Sequence, residues 1–152
     1  MTPDAALRAE LVETCRRLAE RDLIGAGEGN VSCRLGPDRL LVTPSGVNKG
    51  RLAPEDLVVV DGAGRVVEGR GRASTELRMH VAAYAARPDV DAIVHAHPIT
   101  AVALTVAGAP PPSDLVPEAA VTVGPIAVAP FAIPGTDEVP ASIAPYLPGH
   151  DV

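Results

Sequence analysis

Two histidines, His95 and His97, stand two residues apart in His95-Ala96-His97-Pro98, directly after the apolar run Ala92-Ile93-Val94. Along a strand, residues i and i+2 project from the same face, so two imidazoles at this spacing can converge on one ion at the strand's end. Zinc suits such a pair, because neutral imidazole is one of its preferred ligands. The same spacing also serves two hydrogen-bonded core histidines, so the pair alone leaves both roles open.

Glu76 follows Ser74 and Thr75 at what reads as a helix start. Ser-Thr-Glu is an ordinary helix N-terminus, in which a hydroxyl caps backbone N–H groups and the acid favours the positive end of the helix dipole. The alternative is chemical. Free N–H groups and two hydroxyls there form a phosphate site, while the adjacent carboxylate faces a metal or carries a proton. His80, four residues on, shares the helix face of Glu76 and reads as a local hydrogen-bond partner rather than a ligand.

Two glycine-containing turns complete the set, Gly29-Asn30-Val31-Ser32 and Thr43-Pro44-Ser45-Gly46. Small residues let backbone N–H groups approach an oxyanion, and hydroxyls and an amide add donors. Turns use Gly, Asn, Ser and Pro for conformational reasons as well. Glu118, in Val116-Pro117-Glu118-Ala119, reads as a solvated loop acid.

These residues need elements to hold them. Thr2-Pro3-Asp4 offers a cap, a proline at the first helical position and an early acid, and Leu7, Leu11, Cys15 and Leu18 fall on one face. That predicts an amphipathic helix ending near Gly25. Residues 31–35 and 39–43 read as a hairpin around Gly36-Pro37-Asp38, and 57–61 as a further strand before the turn at 62–64. A helix follows over 76–87, capped by Ser74 or Thr75 and stopped by Pro88. Residues 92–96 read as a buried strand, 99–106 as a helix, 109–113 as a loop and 126–130 as a late strand. A last helix begins after Thr136-Asp137 and stops near Pro148. The order predicts an α/β fold with a mixed, mainly antiparallel sheet between helices.

Composition bounds the rest. A chain of 152 residues predicts a single domain over 1–152, and 47% hydrophobic with 21% charged residues is a globular composition. With only three aromatics, Tyr84, Phe131 and Tyr146, the core falls to Val, Leu, Ile and Ala. A net charge of −6, with arginines scattered among acids, argues against nucleic acid as a partner. The apolar stretch 92–109 is broken by His95, His97 and Pro98, which argues against a membrane span. Cys15 and Cys33 lack metal or redox spacing and read as reduced thiols in a cytoplasmic protein.

In this order, Gly29-Asn30-Val31-Ser32, Thr43-Pro44-Ser45-Gly46, Ser74-Thr75-Glu76, His95-Ala96-His97 and Phe131-Ala132-Ile133-Pro134-Gly135-Thr136 resemble the class II aldolase/adducin family. Within that family the resemblance is greatest to the L-fuculose-phosphate aldolase group. It implies a three-layer α/β/α sandwich, a zinc ion (with Mn2+ or Co2+ as alternatives), a sugar-phosphate substrate and a cyclic homotetramer with active sites between subunits. His95 and His97 match two zinc ligands, and Glu76 matches the acid/base near or on the metal. Gly29, Asn30, Ser45, Gly46, Ser74 and Thr75 match the substrate phosphate cradle. The implied reaction is cleavage of a ketose phosphate to dihydroxyacetone phosphate and an aldehyde. Epimerase, decarboxylase and dehydratase chemistry on the same scaffold, or a non-catalytic role as in the adducin head, are the alternatives.

The chain departs from the pattern twice. The family's third zinc histidine lies in an Asn-His-Gly-like segment, and His150 sits upstream of that position, which predicts a domain lacking its C-terminal part. Fuculose-phosphate aldolases carry a tyrosine where this chain has Val116, leaving Glu118 as a candidate for proton traffic.

Overall fold

A computed structural model describes residues 3–25, 27–109 and 117–152. Helix α1 spans Pro3–Glu20, and its apolar stripe buries Leu11 and Cys15 with Leu7 and Leu18 beside them. The helix stops earlier than its periodicity predicts. Asp22 adopts φ 54°, and the Leu23 N–H reaches back to the Leu18 carbonyl at 2.9 Å, a left-handed closure that satisfies carbonyls the helix end would orphan. The Thr2 cap lies outside the described residues.

Strands β1 (Asn30–Gly36) and β2 (Arg39–Val42) form the expected hairpin, with Ser32 opposite Val42 and Arg34 opposite Leu40. Strand β3 (Val58–Asp61) pairs with β2, and a short β4 (Val66–Glu68), not anticipated from sequence, pairs with β3. Strand β5 (Ala92–His95) lies on the other side of β1, giving the order β4-β3-β2-β1-β5. Every pairing in this sheet is antiparallel, in agreement with the mainly antiparallel sheet expected from the sequence.

The sheet carries a core on each face because alternate strand residues point to opposite sides. Leu41 and Val59, with Val31 and Leu57, pack under α1 beside Leu11 and Cys15. Leu40, Val42, Val58 and Val60 pack on the other face against Leu77 and Tyr84 of α2 (Leu77–Ala86). Helix, sheet and helix make the three layers. Val58, Val59 and Val60 are all fully buried, as a central strand covered on both faces requires.

Later elements depart from the sequence reading. Strand β5 is at the sheet edge and alternates exposed and half-buried, with Val94 50% exposed, rather than being buried throughout. Helix α3 (Ile99–Val106) forms as expected. Residues 126–130 form no strand; the Ala127 N–H bonds to the Val152 carbonyl at 3.1 Å, without a ladder among the described residues. Glu118 lies not in a loop but in the short α4 (Pro117–Thr122), where it is exposed. The final helix is two short pieces, α5 (Glu138–Ile143) and a single turn at Leu147–Gly149. No helix among the described residues is long and apolar enough to cross a membrane.

Candidate metal centre and the turns around it

The register of the sheet creates the site. Asn30, at the start of β1, is paired with His95, at the end of β5. On the other side of β1, the Thr43 N–H bonds to the Val31 carbonyl at 3.0 Å and Thr43 Oγ1 accepts the Val31 N–H at 3.2 Å. The turn after β2 is thereby fixed to the same end. An isolated bridge between Pro44 and Ala73, with the Ser45 N–H on the Arg72 carbonyl at 2.8 Å, brings in the segment leading to Ser74, Thr75 and Glu76.

Glu76 is the N-cap of α2, yet its side chain makes no cap hydrogen bond, and neither Ser74 nor Thr75 occupies the cap position. Ser74 Oγ instead accepts the Glu76 N–H at 3.3 Å. This frees the carboxylate to turn toward the sheet. Its Oε2 lies 2.6 Å from His95 Nδ1 and accepts from Asn30 Nδ2 at 3.1 Å. Two bare lone pairs would repel at 2.6 Å, so one of these two atoms carries a proton. Asn30 Nδ2 also lies 3.1 Å from His95 Nδ1.

The rings of His95 and His97 have centroids 4.7 Å apart at 47°. One donor atom from each of Glu76, His95 and His97 falls within 4.8 Å of the others. Two imidazoles and a carboxylate are the donor set of many catalytic zinc sites, with the fourth position left for water or substrate, so these residues fit a divalent ion. Burial, reinforced by His97 and opposed by Glu76, holds His95 below the usual imidazole pKa. A neutral ring is the form that ligates.

The expected phosphate-site residues differ in burial and in partners. Gly29 takes φ 68°, and a Cβ there would lie 2.5 Å from Ile24 Cγ2 and 2.8 Å from the His95 carbonyl, so the chain closes on β5 only with glycine. Asn30 is buried, and its amide is committed to Glu76 and His95 rather than open to solvent. Gly46 and Thr75 are exposed, and Ser45 and Ser74 half-buried. His80 is buried and bonds not locally but to Ser32 Oγ, at 2.6 Å. His150 points its Nδ1 to the Tyr146 carbonyl at 3.0 Å. Val116 lies outside the described residues.

Sequence reasoning overlooked Lys49, which is 3% exposed and donates to the carbonyls of Gly27, at 3.3 Å, and Val47, at 3.1 Å. It ties the loop before Asn30 to the turn after Gly46. Burial lowers its pKa. A lysine flanked by Asn48 and Gly50 carries no sequence signal of burial.

An antiparallel α/β/α sandwich with two histidines and a carboxylate gathered at one sheet end defines an α/β protein with a candidate metal centre. A family model described as the class II aldolase and adducin N-terminal domain matches residues 9–152, and the chain belongs to this family. It is 44% identical over 89 residues to a methylthioribulose-1-phosphate dehydratase of Methylococcus capsulatus, covering 59% of this chain and 43% of that protein. It is 35% identical over 138 residues to an L-fuculose phosphate aldolase of Escherichia coli, covering 91% and 63%. A solved L-fuculose 1-phosphate aldolase superposes with a TM-score of 0.85 at 32% identity, covering 99% of this chain and 70% of that one. The chain thus spans less than two thirds of the length of either of these curated relatives.

Proposed function

We propose that this chain carries the site of a metal-dependent aldehyde-lyase that cleaves a ketose phosphate, such as L-fuculose 1-phosphate, into dihydroxyacetone phosphate and an aldehyde. The observation that carries this reading is the convergence of Glu76, His95 and His97 within 4.8 Å. When bound there, zinc, or Mn2+ or Co2+ in its place, supplies Lewis acidity toward the substrate carbonyl. The backbone and hydroxyl groups of Gly29, Ser45 and Gly46, with those of Ser74 and Thr75 just before α2, take the phosphate, and the α2 dipole favours its charge. Asn30, assigned by resemblance to the phosphate, holds Glu76 Oε2 in place from the side. As the C3–C4 bond breaks, the C4 hydroxyl gives up its proton and becomes the aldehyde carbonyl, the electron pair is left on C3, and Glu76, having taken up a proton, passes it to that carbon. Residues 1–152 act as one domain of a cytoplasmic homotetramer whose substrate is the sugar phosphate.

Zinc-dependent release of dihydroxyacetone phosphate from L-fuculose 1-phosphate, lost in Glu76→Gln, tests this. Folded protein that neither contains nor takes up zinc, manganese or cobalt would overturn it. A second reading, loss of water from methylthioribulose 1-phosphate, is favoured by the 44% identity to the dehydratase. Product analysis on both substrates separates the two, since dehydration releases no triose phosphate.

A further inference from the structure

Behind the candidate metal centre, two buried side-chain atoms have no hydrogen-bond partner among the described residues: Asn30 Oδ1 and His80 Nε2. The orientation of the Asn30 amide is dictated by its other end, because Nδ2 donates to the Glu76 carboxylate and Oδ1 must therefore face away from it. His80 is 2% exposed, and its Nδ1 is taken by Ser32 Oγ at 2.6 Å. Ser32 Oγ in turn lies 2.9 Å from the Tyr84 hydroxyl, and the Arg34 guanidinium covers the Tyr84 ring at 4.6 Å. The imidazole is therefore pinned, with Nε2 directed away from that chain of hydroxyls.

Asn30 and His80 line one small cavity, with about 10 Å³ of space for the centre of a water molecule. That is about the room a single water needs. Thr43 and Ser74 line the same cavity. Each of their hydroxyl oxygens accepts a backbone N–H, from Val31 and Glu76, and so retains a proton to donate. The residues lining the cavity thus include the two to four polar groups that a buried water takes as partners, and a water suits either tautomer of His80 because it both donates and accepts.

We propose that this cavity is a binding site for one ordered water that bridges His80 Nε2 to Asn30 Oδ1, making His80 a positioning residue for the Asn30 amide and, through it, for Glu76 and His95. A continuous polar chain then runs from Tyr84 through Ser32, His80, the water and Asn30 to the carboxylate. Without the bridge the amide loses the contact that fixes its carbonyl end, and the donor to Glu76 Oε2 is free to rotate. Its influence on a bound ion rests on the metal reading above; the water and the amide orientation do not.

A crystal structure of the whole chain, at a resolution that shows ordered water, is expected to place one water within hydrogen-bond distance of both atoms. An empty cavity, or an Asn30 amide turned with Nδ2 toward His80, overturns the proposal. In metal-free protein, His80→Leu is expected to shift the Asn30 side-chain amide resonances, with His80→Gln, which keeps a polar end, shifting them less. Unmoved resonances in His80→Leu overturn the positioning role. Zinc affinity, measured by chelator competition, is expected to fall about tenfold or more in His80→Leu and to be largely recovered in His80→Gln, the size typical of groups that orient metal ligands. Equal affinity in all three proteins overturns it too. Should His80→Leu not fold, Ser32→Ala, which unpins the ring, takes its place with the same expected losses. A parent protein that binds no zinc removes the metal reading alone, since the water and the amide resonances are read without metal.

Discussion

Asn30 and His95 face each other across β1 and β5, and the Asn30 amide meets the Glu76 carboxylate beside the His95 ring. The pairing register of two strands 65 residues apart in sequence thus sets the relation between the acid from α2 and the first histidine of the pair. A slip of one residue would turn Asn30 to the opposite face of the sheet and leave Glu76 without its lateral donor.

Asn30→Ala is therefore expected to weaken metal binding by about 10- to 100-fold, as removal of groups that orient metal ligands does. Competition with a chromophoric chelator measures it. Affinity equal to the parent would show that Glu76 and His95 hold their geometry without the amide.

Gly29→Ala joins two penalties. The φ of 68° is disfavoured for a residue with a Cβ, and that Cβ would sit 2.8 Å from the His95 carbonyl. Left-handed backbone costs about 1–2 kcal/mol for an L-residue, and the contact with backbone leaves no flexible atom to yield. A loss of more than about 2 kcal/mol in urea unfolding is expected. Because the blocked atom belongs to His95, metal affinity falls with it.

Much of this was legible in the sequence where the signal is local. Gly36-Pro37-Asp38 marks the β1–β2 hairpin, the Leu7, Leu11, Cys15, Leu18 stripe marks the buried face of α1, and the histidine spacing marks the metal candidate. What escaped is what pairing decides. Residues 126–130 are as apolar as many strands but make no ladder, while Val66–Glu68 is a strand only because β3 offers it an edge. The commitment of Asn30 to Glu76, and of His80 to Ser32, depends on contacts 46 and 48 residues away that no periodicity reports.

The two thiols make a chemical prediction. Burial pushes both Cys15 and Cys33 up to about 11, and both are free. At pH 8 less than roughly one thiol in a hundred is then thiolate, the reactive form. Neither is expected to react with a disulfide reagent in the folded protein within the time both react in denaturant. Rapid labelling of Cys33, the less buried of the two, would show that the α1 face of the sheet opens readily.

The acid limb of stability is expected to carry the signature of His80. Burial, with the neighbouring His95 adding to it, lowers its pKa from 6.5 to about 4. Between those values the unfolded chain binds a proton that the folded chain refuses, so stability is undiminished above pH 6.5 and declines as pH falls toward 4. The full difference corresponds to about 3 kcal/mol. Urea unfolding at steps between pH 7 and pH 4 measures the slope, and the His80 ring resonances assign it, since they are expected to stay those of a neutral imidazole down to about pH 5. A ring that titrates near pH 6.5 in the folded protein would mean that His80 reaches solvent, and the acid loss would then have to come from other groups.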